Sequence, residues 1–172
     1  MERIRVPYDH RLGRTLALLV NPGLLLVSTK RSGESNVMTI GWATIGVLWG
    51  KPAFVALVRP SRYTREFIED SGLFTINVPT EEMRQAVRLC GARSGRELDK
   101  FAAGKLSITM GQTVKAATID ECPLVYECRV VHFNDMIPAN MDPSVEAAAY
   151  AGSDYHRLYY GEIVAACADR SY

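Results

Sequence analysis

Asn36-Val-Met-Thr-Ile-Gly-Trp42 opens a stretch, residues 37–47, that is rich in β-branched and aromatic side chains and reads as a strand. Its two glycines, Gly41 and Gly46, suggest a bulge or the close approach of another backbone or a ligand. Upstream, Leu24–Thr29 reads as a second strand, and the polar, glycine-containing residues 30–35 join the two as a hairpin. Downstream, Pro52 opens an apolar run over residues 53–58 that suits a buried strand. That run ends in Arg59-Pro-Ser-Arg-Tyr-Thr64.

The strand-rich pattern continues. Phe67 and Ile68 are spaced to face the core from a short helix stopped by Gly72, and residues 74–78 form the next strand. Thr80 is placed to cap a second helix, with Glu81 and Glu82 in its first turn, Met83, Val87 and Cys90 on one face and Gly91 as terminator. Residues 94–103 read as a third helix closed by Gly104, and further strands are expected at 106–110, 116–119, 124–133 and 157–168. Residues 134–152, with two prolines and a short Ala-rich run, read as a long loop with at most a helical turn.

Composition narrows the function classes. A chain of 172 residues, 48% hydrophobic and 23% charged, fits one globular domain over residues 1–172. A net charge of +1 without a basic stripe argues against a nucleic-acid partner. Apolar runs are far shorter than the roughly 20 residues of a membrane-spanning helix, and the first residues carry no signal-peptide pattern, so a cytoplasmic location and no membrane association are expected. Four cysteines without CxxC spacing read as buried free thiols. Histidines at 10, 132 and 156 lack ligand spacing and no Gly-x-Ser-x-Gly elbow is present, so metal and serine-nucleophile chemistry are not supported.

Four segments carry chemistry. In Arg59-Pro-Ser-Arg-Tyr-Thr64, two cations and several hydroxyls gather where a strand meets a helix: a seat for phosphate, or simply a capped helix with solvated arginines. Asn36 to Trp42 combines amide and hydroxyl side chains with strand backbone, which suits the polar edge and flat face of an isoalloxazine ring or an ordinary amphipathic strand. Cys90-Gly-Ala-Arg-Ser-Gly-Arg96, continuing through Asp99-Lys-Phe101, offers glycines and cations to an anion but matches neither GxGxxG nor a P-loop. Asp154-Tyr-His156, followed by Gly161-Glu162, brings a histidine that is either a donor near a bound ring or a loop residue.

Taken together and in this order, the four segments resemble the flavin reductase-like, flavoredoxin-type FMN-binding split-barrel family, from about Leu24 onward. The resemblance implies a mainly β fold, a six-stranded Greek-key split β-barrel with short peripheral helices, and a homodimer. It also implies FMN as cofactor and NADH or NADPH as co-substrate, with hydride passing from nicotinamide to flavin. The alternative is an FMN-carrying electron-transfer protein reduced by a protein partner. A redox protein or a monooxygenase is the implied acceptor. By position, Asn36, Met38, Thr39, Ile40 and Trp42 would border the flavin, and Ser61, Tyr63, Thr64 and Lys100 its phosphate side. Ser94 and Arg96 would act at the flavin or at the subunit interface. His156, the candidate catalytic residue, would lie with Tyr155 near the open flavin face or the nicotinamide. The segment 134–152 is longer than the family's compact connection and could cover the flavin.

Overall fold

The computed structural model describes residues 3–172. In chain order the elements are β1 (Arg3–Arg5), α1 (Leu12–Val20), β2 (Leu24–Thr29), β3 (Ser35–Ile40), β4 (Ala43–Leu48), β5 (Lys51–Val58), α2 (Thr64–Ser71) and β6 (Leu73–Val78). A 3-10 turn, Glu81–Met83, leads into α3 (Arg84–Ala92), α4 (Lys100–Gly104), β7 (Ile108–Met110), β8 (Ala117–Ile119) and β9 (Leu124–Asp135). A second 3-10 turn, Pro138–Asn140, precedes α5 (Pro143–Ala149) and β10 (Arg157–Asp169).

Eight strands form one antiparallel sheet in the order β3-β2-β6-β9-β10-β5-β4, with β1 added beside β10. β3 and β4 stand at opposite ends of this order, yet only Gly41 and Trp42 separate them in sequence. Two intervening residues let their neighbours stand at most about 11 Å apart, so the sheet must curl until its ends meet. The result is a barrel split between β3 and β4, with Gly41-Trp42 at the split. The single strand expected over 37–47 is therefore two, because the backbone turns there to join opposite edges.

Curvature is concentrated in β10. Its first half pairs with β5 (Arg157↔Val58 to Glu162↔Ala53) and its second half with β1, while β9 runs along its other side through register shifts at Tyr160/Gly161 and Ile163/Ala165. Bulges bend and twist a strand in this way. Gly161 sits at one of them, where a Cβ would press on the Phe74 ring (Cε1 at 2.8 Å) and on Cys128 Cβ (2.9 Å).

Side chains of β2 alternate between two cores. Leu24 and Leu26 join Met38, Ile40, Phe54, Phe74, Ile76 and Tyr126 inside the barrel. Leu25 and Val27 face outward but are covered by Val87 and Cys90 of α3 with Ala117 and Ile119 of β8, which is why residues 24–27 are apolar on both faces. The β7–β8 hairpin is held by polar bonds as well: Thr75 Oγ1 donates to the Ala117 carbonyl (2.6 Å), and Asn77 Oδ1 accepts from the Ile119 N–H (2.8 Å).

Several local expectations are corrected. Ten strands are present among the described residues rather than six, although the mainly β split-barrel class stands. Gly91 lies within α3, which runs on to Ala92. Residues 94–103 are not one helix, since only Lys100–Gly104 is helical, started by Asp99 accepting from the Phe101 and Ala102 N–H groups. Thr80 precedes the 3-10 turn without a side-chain cap bond. The segment 134–152 holds a helix, α5, capped by Asp142. All four cysteines are buried and free, as expected.

Candidate functional site

The split leads into a groove made of two adjoining cavities that share Met38 and Arg62 in their walls. The deep one, about 240 Å³, lies among β3, the start of α2 and the 90–100 segment, and Ser61, Tyr63, Thr64, Ser94 and Lys100 line it. The shallower one, about 160 Å³, is walled by Thr39, Ile40, Gly41, Trp42, Arg59 and His156. Larger clefts of about 670 and 700 Å³ lie elsewhere, and none of the candidate site residues lines them. The groove is the stronger candidate because its polar groups converge and are buried.

Lys100 sets the chemistry of the deep end. It is 4% exposed, and its Nζ donates to the Cys90 carbonyl at 3.2 Å. It forms no ion pair among the described residues. Burial, aided by the Arg62 charge, lowers its pKa, while burial pushes the Cys90 thiol up to about 11, so that thiol supplies no counter-charge. A buried cation with one carbonyl partner is costly. With Arg62 and Arg93 in the same wall and Glu97 the only carboxylate there, the cavity suits an anion.

Beside Lys100, Asn36 Nδ2 donates to Thr64 Oγ1 at 2.7 Å, both side chains being buried. Ser61 is held differently: its N–H and its hydroxyl both donate to the Asp154 carboxylate (3.1 and 2.7 Å). Burial alone would raise the Asp154 pKa, but the Ser61 bonds and the Arg59 charge hold it below the usual range. Ser61 therefore joins the phosphate-side wall to the segment that carries His156.

At the shallow end, His156 is 7% exposed and its ring centroid lies 5.0 Å from that of Trp42, which is 46% exposed. Its Nδ1 is 2.9 Å from the Tyr150 hydroxyl. Arg59 donates to the Ala149 carbonyl (2.8 Å) and stands over the Tyr150 ring at 5.2 Å. Burial first, then the Arg59 charge, push the imidazole down to about 4, against the opposing pull of Asp154. His156 is neutral at pH 7.

This depression has a consequence for stability. The unfolded chain takes up a proton near the ordinary value of 6.5, whereas the folded imidazole resists until about pH 4. Stability linked to His156 is thus complete above pH 6.5 and is lost as pH falls towards 4, by up to roughly 3 kcal/mol. In urea unfolding at pH 7 and pH 4.5, His156→Gln should lose less stability on acidification than the parent; equal losses would refute the assignment.

Four predicted residues are placed otherwise, the first being Asn36, which lies in neither cavity wall and is tied to Thr64. Thr39 lines the shallow cavity, but its hydroxyl donates to the Val87 carbonyl (2.5 Å), which leaves chiefly its backbone to face the groove. Arg96 is outside the wall: it pairs with Glu66 and covers the Tyr63 ring at 4.6 Å. Tyr155 is outside too, donating to Glu146 Oε1 (2.7 Å) and stacking on Tyr150 with centroids 4.9 Å apart. Conversely Arg62, whose guanidinium donates to the Gly91 carbonyl (3.1 Å), and Tyr150 were not among the predicted site residues. Arg62 could have been found, since it lies within the Arg59–Thr64 segment, whereas nothing in the 134–152 sequence marks Tyr150.

Known proteins share both sequence and fold with this chain. An uncharacterised protein of Archaeoglobus fulgidus is 33% identical over 98 residues, 57% of this chain, and the match spans 55% of that relative's length. The Escherichia coli protein YddH, also uncharacterised, is 29% identical over 150 residues, covering 86% of this chain and 70% of its own. Among solved structures, flavoredoxin of Desulfovibrio vulgaris (Miyazaki F) superposes with a TM-score of 0.70 at 25% identity, over 87% of this chain and 70% of that one. Flavoredoxin from Methanosarcina acetivorans gives 0.69 at 27% identity, over 100% and 78%. The model of the flavin reductase like domain matches residues 19–171, and the chain belongs to that family.

Proposed function

We propose that this protein binds FMN in the groove and is an NAD(P)H-dependent flavin reductase. The observation that carries the first part is the buried, carboxylate-free Lys100 at the closed end of a groove whose other end is walled by Trp42 and His156. Lys100, with Thr64, Ser94 and the α2 end of the groove, would take the phosphate, which supplies the counter-charge that Lys100 lacks. Met38 and Asn36 would border the ribityl chain and ring, with the backbone of residues 38–41 along the ring edge. When bound there, FMN would supply two-electron chemistry towards a nicotinamide. The chain's part is to orient and to stabilise. Arg59 and Arg62 place positive charge on the ring-side wall, where negative charge developing in the reaction is favoured. Trp42 and His156 limit how a second flat ring can enter.

A homodimer belongs to this proposal. Val47, Trp49, Val131 and Phe133 are exposed apolar side chains, and Trp49, His132 and Tyr160 cluster at centroid distances of 5.1 to 6.1 Å.

The flavoredoxin neighbours favour a second reading, an FMN carrier reduced by a protein partner. Anaerobic stopped-flow absorbance of the FMN-loaded protein separates the two. Bleaching of bound flavin by NADH or NADPH at a rate matching turnover is the expected result. No bleaching, alongside reduction by a redox protein, would assign the carrier role. A colourless protein that does not quench FMN fluorescence would remove both.

A further inference from the structure

Tyr150 is supplied by the segment between β9 and β10 and lies behind the groove wall, against Trp42, Arg59 and His156. Its hydroxyl lies 2.9 Å from His156 Nδ1 and 2.9 Å from Met136 Sδ. The main chain fixes this triangle: the Met136 N–H donates to the His156 carbonyl (3.0 Å), and the Tyr150 N–H donates to the Glu146 carbonyl (2.9 Å). The Tyr150 ring is buried, edge-on to Trp42 with centroids 6.1 Å apart.

The hydroxyl either donates to Met136 Sδ while accepting from an Nδ1–H, or donates to Nδ1 itself. A thioether sulfur is a weak acceptor and a neutral imidazole nitrogen a good one, so the proton belongs on the line to Nδ1. Nδ1 then carries no hydrogen of its own, and the ring hydrogen sits on Nε2. The surroundings agree. Nε2 has no protein partner among the described residues, although Arg59 and Arg62 line the same cavity. It is also absent from the fully enclosed, unpaired polar atoms, so it opens to the groove. A bare nitrogen lone pair beside two guanidinium groups would draw an Arg N–H, and none is bonded to it. The charged and titratable groups facing the imidazole are Arg59, Arg62, Asp154 and Tyr150, and burial first, then the two arginine charges, keep it uncharged against Asp154.

We infer that Tyr150 is a positioning residue that locks His156 as a neutral Nε2–H donor aimed into the ring-side cavity, where it serves a carbonyl or carboxamide oxygen of the second substrate. The inference rests on reading the groove as the flavin site. An Nε2–H donor prefers an oxygen acceptor and discriminates against a cationic or donor group at that place. The carboxamide of a nicotinamide meets this requirement, and so does the carbonyl of an unsaturated carbonyl acceptor.

The test combines a spectroscopic and a kinetic measurement. Two-bond 15N–1H correlation spectra of the FMN-free and FMN-loaded protein should show His156 as the Nε2–H tautomer from pH 6 to 8, and Tyr150→Phe should give a tautomer mixture with an unchanged melting temperature. In steady-state reduction with NADH and NADPH, Tyr150→Phe should raise KM about three- to tenfold, the size of one hydrogen bond, with a smaller change in kcat. His156→Gln, whose amide offers an N–H without help from Tyr150, should make a further Tyr150→Phe substitution silent. An Nδ1–H tautomer in the parent, an unchanged tautomer and KM in Tyr150→Phe, or a full extra loss in the double variant would each overturn the inference. Because the tautomer is read with and without FMN, its failure is distinguishable from failure of the flavin reading, which shows as absent flavin binding or bleaching.

Discussion

Lys100→Met should weaken FMN binding about 10- to 150-fold, the range for losing a charged hydrogen bond, while making the FMN-free protein more stable. The two effects have opposite signs for one reason. In the free protein the ammonium is buried against a single carbonyl, with Cys90 neutral beside it. Methionine fills similar volume without that desolvation cost and should add about 1 to 3 kcal/mol to unfolding stability. With FMN present the ammonium gains its counter-ion, and methionine cannot replace it. The pH dependence follows the same logic. Because the folded pKa of Lys100 lies below 10.5, the unfolded chain binds more protons between the two values, and stability rises with pH across that window. The penalty is complete below the folded pKa and relieved by pH 10.5, so the advantage of Lys100→Met should shrink at alkaline pH. Fluorescence-quenching titration with FMN and urea unfolding at pH 7 and pH 10 read both effects. Unchanged FMN affinity would remove Lys100 from the phosphate site.

The strands most visible in the sequence were those whose two faces are both buried. Leu24–Thr29 opens on four consecutive apolar residues because β2 lies buried between the barrel interior and the α3 layer. The break at Gly41-Trp42 was less visible, because a chain crossing between sheet edges needs no proline or turn cluster. α1 escaped notice for a different reason. Its N-cap is Arg11 in a left-handed conformation without a side-chain cap bond, so the usual Ser, Thr or Asp start signal is missing. Its buried face, Thr15, Leu18 and Leu19, becomes apparent only against the barrel.

The groove was legible as residue types and not as commitments. Asn36 is bonded to Thr64, and Thr64 shares the deep cavity with Lys100, from segments 28 or more residues apart. Sequence could not reveal that the Ser61 hydroxyl is held by Asp154, or that Arg96 turns away to Glu66, because each competing partner comes from a remote segment. Tyr150 is the clearest omission: a tyrosine in a loop carries no signal until the fold brings its hydroxyl to a histidine nitrogen.

Gly95→Ala should reduce FMN affinity at least about tenfold, through packing rather than charge. Both glycines of Cys90-Gly-Ala-Arg-Ser-Gly-Arg96 lie where the end of α3 crosses close over β3. A Cβ on Gly91 would meet Thr39 Cβ at 3.2 Å, and one on Gly95 would overlap Asn36 Oδ1 and approach Asn36 Cγ at 2.9 Å and the Tyr63 ring at 3.2 Å. Asn36 has little freedom to yield, because it is buried and its Nδ2 is bonded to Thr64 at 2.7 Å. Either the 94–97 turn lifts, which widens the deep cavity, or Asn36 leaves Thr64, which breaks the bond that shapes it. Overpacking of this kind costs about 1 to 3 kcal/mol, and the strain falls on the groove itself. The control is Gly13→Ala, where the new methyl meets nothing within 4 Å and FMN affinity should be unchanged. Adding Asn36→Ser to Gly95→Ala makes room for the methyl, so it should restore the melting temperature without restoring affinity. Recovery of both would mean that Asn36 only packs, and its place beside the flavin would have to be given up.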